Sequence, residues 1–351
     1  MERGLAILLG VACSIWILLS MARTFTFPRP ERVWLTTSLF RIARHLAATA
    51  ARRFQSQERR HWILGSFAPV VLLSLPLFWS IGLILSFSGI FWGIDGGSYA
   101  SALELSGSSL TTLGFIEADS LLTRSVAIIE ALLGLAIVAL VVGFLPTFYG
   151  TFSRREVSVG RLTVRAGSPP TPLEFIVRLH RIDRLTNVSE RWDEWEDWFV
   201  EVGETHTTFP ALIFFRSARH DRSWLTAAET SLDTAALVTA LELVRSTGGA
   251  QTLIRSGYLA LREIADFFDI PPEIHPRKHD ELSISREQFD TLVDELAHHG
   301  VFTNVSRDAA WTAFAGWRIN YDQALQGLRR LVVDVPSHWE IDAPLTGTSS
   351  L

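Results

Sequence analysis

Three long apolar runs dominate the first 151 residues, and a short polar-edged segment interrupts the second and third. Gly4–Met21 is the first run, Trp62–Trp92 the second and Ser125–Thr151 the third. Each is long enough to cross a bilayer, which takes about 20 apolar residues. Between the last two lies Ala102–Glu117, ALELSGSSLTTLGFIE, a short amphipathic stretch that ends in a Thr/Gly-containing loop. The order is span, short helix, small-residue loop, span. At membrane depth, non-helical backbone is tolerated only where protein buries it or where it lines a water-filled path. The arrangement therefore predicts a re-entrant helix whose following loop is either sealed in protein or exposed to permeating ions.

The charges orient the spans. Between Ala22 and His61 stand nine arginines, among them Arg23, Arg29, Arg41, Arg52 and Arg60, against Glu31 and Glu58 alone. Positive loops stay cytoplasmic, so the first span is expected as an uncleaved anchor with its N-terminus outside; the competing reading is a cleaved signal peptide. The second span then runs outward, the loop is reached from the outer side, and the third span ends inside at Ser153-Arg154-Arg155-Glu156. Within the basic segment, Arg32–Phe54 has apolar residues at roughly helical spacing. That fits an interfacial helix on anionic lipid or a plain basic linker.

The loop residues resemble the pore of the two-transmembrane potassium-channel superfamily. That pattern reads Ala-Leu-aromatic-aromatic-Ser, then Thr-x-Thr-Thr-Val-Gly-Tyr/Phe-Gly-Asp. Ala102, Leu103, Ser106, Leu110, Thr111, Thr112, Gly114 and Phe115 occupy the matching positions, and Leu113 replaces Val. Ile128-Ile129-Glu130-Ala131-Leu132-Leu133-Gly134 is similar to the start of the family's inner helix. The likeness covers roughly Trp62–Glu156. It departs from the pattern where Ile116 replaces the second filter glycine and Glu117 the aspartate. A β-branched residue visits glycine backbone conformations at a cost of ~1 kcal/mol or more, so the outermost carbonyl ring is expected to be rearranged or the filter loosely selective.

The resemblance implies an α-helical membrane protein of three transmembrane helices with a re-entrant pore helix and filter-like loop, followed by a mostly all-α cytoplasmic domain. It divides into an anchor (1–22), a basic amphipathic linker (23–61), a pore domain (62–153, with pore loop 98–117 and inner helix 122–150) and the C-terminal domain (154–351). Tyr99–Thr111 is expected to be the pore helix, N-capped by Ser98. The carbonyls of Thr111, Thr112, Leu113 and Gly114 are expected to face the ion, with Phe115 packed sideways and Ile116 outermost. Glu117 and Asp119 sit at the mouth, where they either concentrate cations or belong to a solvated loop. Glu130 is an ionisable group inside a span and should face protein or water. Gly134 and Gly143 either bend the inner helix or permit close packing. One loop supplies a quarter of a carbonyl ring, so a homotetramer in the cell membrane is implied, with potassium or another monovalent cation as permeant ion and no cofactor. The alternative is a non-conducting membrane receptor or scaffold that keeps the pore architecture.

Residues 152–351 carry most of the acids and read as soluble helices. Predicted segments are Leu173–Ile182 with Pro172 at its first turn, Asn187–Val202, Ser223–Arg245, Gln251–Phe268, Ser285–His299 and Asp308–Val333. Strand patterns are confined to Val157–Ala166 and Ala211–Phe215. Trp192, Trp195, Trp198, Phe199 and Val202 fall on one helical face, a spacing expected of core. Glu204-Thr205-His206 with Arg216, Arg219 and Arg222 makes either a polar pocket or a hydrogen-bonded turn. Stretches such as GYLALREIADFF and AFAGWRINYDQAL resemble the helical C-terminal region of actinobacterial potassium-channel-family proteins.

Other functions are disfavoured. His275 and His279 straddle Pro276 with no closing ligand set, so metal binding is not expected. No phosphate-cradling glycine loop or nucleophile elbow appears, which argues against an enzyme. The formal charge of −5 over 351 residues offers no surface for nucleic acid. Cys13 is the single cysteine, so no intrachain disulfide forms. The charge asymmetry predicts topology: a tag at residue 2 is accessible outside intact cells, while tags after Arg155 and at Leu351 require permeabilisation. An externally accessible C-terminus would end the pore-loop reading.

Overall fold

Apolar runs this long have one way to pair their backbone polar groups away from water, and the structure takes it. A computed structural model describes residues 1–25, 34–270, 282–333 and Trp339, and among these every regular element is helical. Three helices are long and apolar enough to cross a membrane: α1 (Glu2–Phe25), α3 (Gln57–Asp95) and α5 (Leu121–Ala166). Helix α2 (Trp34–Ala51) falls in the basic segment, with Ile42 and Leu46 exposed and Ala47 and Ala51 buried. Helix α4 (Tyr99–Leu110) is the short element between the second and third long ones. The chain divides into two units, Met1–Phe54 with Trp62–Gly150, and Gln55–His61 with Thr151–Leu351.

In the first unit α1 packs antiparallel on α3 through small residues. A Cβ at Gly93 would overlap Ile7 and the Arg3 carbonyl, one at Gly10 would meet the Ser86 carbonyl, and one at Gly82 would meet Ile17. Gly82, Gly89 and Gly93 thus form a small-residue stripe that lets two backbones approach, the usual means of association where lipid removes the hydrophobic drive. Toward the other end, Trp79 Nε1 donates to Ser20 Oγ at 3.4 Å. Helix α3 runs unbroken through Pro69 and Pro76, and α5 through Pro146.

The second unit is a helical bundle: α6 (Pro172–Arg181), α7 (Ser189–Thr208), α8 (Trp224–Ala240), α9 (Gly248–Phe267), α10 (Arg286–His298), α11 (Arg307–Arg318) and α12 (Asp322–Val332). Side-chain caps open several of these helices. Thr171 caps α6 ahead of Pro172, Ser223 caps α8, and Ser285 with Gln288 forms a capping box on α10. Trp192, Trp195, Trp198, Phe199 and Val202 are at most 3 % exposed, so the tryptophan stripe is core.

Several expected boundaries move. Val157–Ala166 continues α5 instead of forming a strand, because the helix already running needs no nucleus to propagate. Ala211–Phe215 lies in a 3-10 turn (Pro210–Phe214) and its C-cap. Helix α5 therefore extends past the expected end at 150, to Ala166. Asp308–Val333 splits into α11 and α12 at Ile319–Tyr321.

Helix α8 is buried at every residue but Thr239, although it carries Glu229 and Asp233. Arg318 makes that possible. Its guanidinium reaches Asp233 at 2.5 Å, Glu229 at 2.9 Å and Asp322 at 3.0 Å. Arg329 closes Glu229 at 2.6 Å, Tyr321 Oη donates to Asp233 at 2.7 Å and Trp339 Nε1 donates to Asp233 at 2.8 Å. Burial opposes the Arg318 charge, but Asp233, Asp322 and Glu229 hold its pKa well above the ordinary guanidinium value. Burial and Asp233 raise the Tyr321 phenol likewise, so it stays a donor. Arg318→Met strands buried carboxylates and should cost about 3–5 kcal/mol, read as a lower denaturant midpoint by tryptophan fluorescence of the full chain in detergent.

Candidate functional site

Helix α4 turns back along the two long helices that flank it. Ser98 accepts from the Ala100 amide and starts the helix, as the sequence predicts. Tyr99 Oη lies 2.8 Å from Ser88 Oγ on α3. One turn before the C-terminal end, the Ser106 hydroxyl lies 2.9 Å from the Ile84 carbonyl and 2.5 Å from Glu130 Oε1 on α5. At that end, a Cβ on Gly134 would overlap the Leu110 carbonyl. Gly134 lies roughly 20 Å along α5 from its first residue, at 1.5 Å per residue. The C-terminal end of α4 thus reaches well into the apolar length of α5. Gly134 serves close packing there, and α5 remains helical through it; a Cβ at Gly143 would meet nothing.

Glu130 is fully buried. Ser106 partners one of its carboxylate oxygens, and the other, Oε2, has no hydrogen-bond partner. The expectation that this acid faces protein matches that geometry. Its placement behind the loop was visible in the sequence only as a charge inside a span.

The loop after α4 is organised by a residue the sequence reading passed over. Ser108 is buried. Its carbonyl accepts from the amides of Leu113 at 3.0 Å and Gly114 at 3.4 Å. Its hydroxyl oxygen accepts from the amides of Phe115 at 3.0 Å and Ile116 at 3.4 Å. Four successive N–H groups therefore turn onto one serine. Unpaired backbone groups in apolar surroundings cost several kcal/mol each, and Ser108 removes that cost for Leu113–Ile116. The available signal was the serine run Ser106-Gly107-Ser108-Ser109 just ahead of the loop.

The backbone strain falls elsewhere than expected. Positive φ occurs at Thr112 (58°) and Gly114 (69°), while Ile116 has none. Gly114 is the residue that adopts this region at no cost. Ile116 stays outside this region, and its amide bonds the Ser108 hydroxyl. The threonine hydroxyls are engaged locally: Thr111 Oγ1 donates to the Gly107 carbonyl at 2.6 Å and Thr112 Oγ1 to the Thr111 carbonyl at 2.7 Å. Leu113 is 70 % exposed and Phe115 64 %, so within one chain Phe115 does not pack sideways as expected. Glu117 and Asp119 are exposed beside the loop. Thr123 Oγ1 donates to Asp95 at 2.7 Å, and Arg124 donates to the Ala118 carbonyl at 3.2 Å, which fixes the entry to α5.

The other polar groups of the sequence do not converge into a site. Arg219 pairs with Asp221, Arg216 bonds carbonyls at the end of α12, and His206 is buried against Arg155. The polar pocket drawn through Glu204, His206 and these arginines does not form. His298 and His299 contact each other, and His275 and His279 lie outside the described residues. No group of three metal-ligating side chains occurs among the described residues. Comparison with protein-family models, curated proteins and solved structures gives no match.

Ser108→Ala removes the acceptor for two amides and leaves the carbonyl bonds. Hydrogen exchange at Phe115 and Ile116 should rise by about fivefold or more, the equivalent of roughly 1 kcal/mol per lost bond, while exchange in α3 and α5 stays at the wild-type rate.

Proposed function

We propose that this chain is a potassium-channel-like integral membrane protein of the cell membrane. Four copies surround a path for monovalent cations, and the C-terminal helical domain lies in the cytoplasm. One observation carries the reading: a short helix runs back between two long apolar helices and ends in a loop whose amides from Leu113 to Ile116 all bond Ser108. With the amides committed on one side, the carbonyls are the groups left to line a path, and rings of carbonyls are how a protein replaces a cation's hydration shell. The α4 C-terminus points its dipole toward the same place, which favours a cation.

The exposure of Leu113 and Phe115 supports assembly, because apolar side chains at the foot of a re-entrant helix are covered when further copies close around them. The antiparallel packing of α1 on α3 supports the topology. It brings Arg3 beside Gly96, at the same end as the entry to α4, so the N-terminus and the loop mouth share one side.

A second reading has its own observation. The Thr111 carbonyl already accepts the Thr112 hydroxyl, and Ile116 sits where an unbranched residue would leave the strand free. These favour a membrane receptor or scaffold with a closed loop.

Flux decides between them. The four-protomer particle in liposomes should pass potassium and sodium with weak preference. Ile116→Gly should raise the preference for potassium about tenfold, equivalent to roughly 1.4 kcal/mol between the ions. Gly114→Val should abolish uptake, because it places a β-branched side chain at φ 69°. Identical leak from wild type and both variants would exclude a path through this loop and favour the scaffold.

A further inference from the structure

The segment from Phe209 to Ser217 is short and irregular, yet three distant parts of the chain attach to it. Arg155 lies on the C-terminal part of α5 and is 3 % exposed. Its guanidinium donates to the Leu212 carbonyl at 2.9 Å and the Phe215 carbonyl at 2.6 Å. It also meets His206 Nε2 at 3.1 Å and Glu156 at 2.8 Å, and it stacks over the Phe152 and Trp224 rings at 5.2 and 5.7 Å. His61, in the first turns of α3, donates through Nε2 to the Ser217 carbonyl at 2.9 Å. Arg216, within the segment, donates to the Val332 carbonyl at 2.9 Å and to Val333, at the end of α12.

The chemistry is specific to these residue types. Arginine offers five donors in a rigid fork, so one side chain can hold two carbonyls and an imidazole together. Because Arg155 can only donate, His206 Nε2 is the acceptor, and the proton sits on Nδ1, which donates to the Val202 carbonyl at 2.9 Å. Burial and the adjacent guanidinium keep the His206 pKa well below its ordinary value, consistent with that neutral tautomer. Helix α12 is itself pinned by Arg329 on the buried Glu229.

We infer that residues 209–217 form a clasp that joins the first turns of α3, the end of α5 and the end of α12, so that the state of the helical domain biases the two long helices on either side of the loop. Arg155 and His61 are its positioning residues. The regulatory half of this inference rests on the conduction reading; the mechanical half does not. Arg155 and His61 bond different carbonyls of one segment, so a change at one reaches the other through it.

The test uses the full-length protein in liposomes. Arg155→Lys keeps the charge but replaces the fork with a compact ammonium. It should raise hydrogen exchange at 209–217 and also at 57–64. His61→Phe should raise exchange at 212–217 and, across the clasp, at 153–159. If Arg155→Lys loosens 209–217 and leaves 57–64 at the wild-type rate, the clasp is overturned, and the same holds for His61→Phe and 153–159. Cation uptake by Arg155→Lys should change about fivefold or more, the low end of ordinary coupling between sites, with the potassium-to-sodium ratio unaltered. Altered exchange with unchanged uptake overturns the regulatory half. Absence of uptake in the wild type overturns the conduction reading instead, and the exchange pattern alone then decides the clasp.

Discussion

In the loop after α4, four consecutive amides find their acceptor in one residue, Ser108. A helix satisfies its own amides, so α1, α3 and α5 need nothing further. The loop from Thr111 to Ile116 cannot do this. It survives because the carbonyl and hydroxyl of one buried serine take four consecutive N–H groups. The position of α4 follows from the same demand. Its Ser106 reaches the Ile84 carbonyl and Glu130, and its last carbonyl sits where Gly134 leaves room. A larger residue at Gly134 would collide with the Leu110 carbonyl, and removing either serine would take away bonds that hold α4 or the loop.

The helical domain solves a related problem with charge. Helix α8 is surrounded by other helices, and an all-apolar sequence there would bury it without fixing its rotation. Glu229 and Asp233 face Arg318 and Arg329 from α11 and α12, Tyr321 and Trp339 donate to Asp233, and the Ser283 hydroxyl oxygen accepts from Arg318. Replacing such a network with apolar residues is often neutral or favourable for stability, whereas breaking it is costly. Its value therefore lies in orientation: it sets which face of α8 meets α11 and α12. The Arg155 cluster works by the same means on neutral carbonyls, since a buried guanidinium with satisfied donors tolerates one orientation only.

The sequence by itself determined the helical elements and their apolar faces. Runs of 18 or more apolar residues have few alternatives to a spanning helix. Ser98 was legible as a cap because capping depends on neighbours within one turn. The tryptophan face of α7 was legible because 3.6-residue periodicity is local. Thr111, Thr112 and Gly114 marked the loop, and Gly114 does take the positive φ for which glycine is suited.

The tertiary structure decided what depends on partners far along the chain. The glycine stripe at 82, 89 and 93 has meaning only once α1 lies on it. Glu130 becomes a buried acid bonded to Ser106 only when α4 folds back. Ile116 was expected to bear strain, but the strain moved to Thr112, because the hydrogen bonds to Ser108 set the path of the strand and local propensity did not. Val157–Ala166 is helical because α5 propagates into it, overriding its β-branched composition. Arg155 and His61, about a hundred residues apart in sequence, meet one segment through carbonyl bonds. Local rules reach across one helical turn, while hydrogen bonds to buried groups depend on which chains arrive beside them.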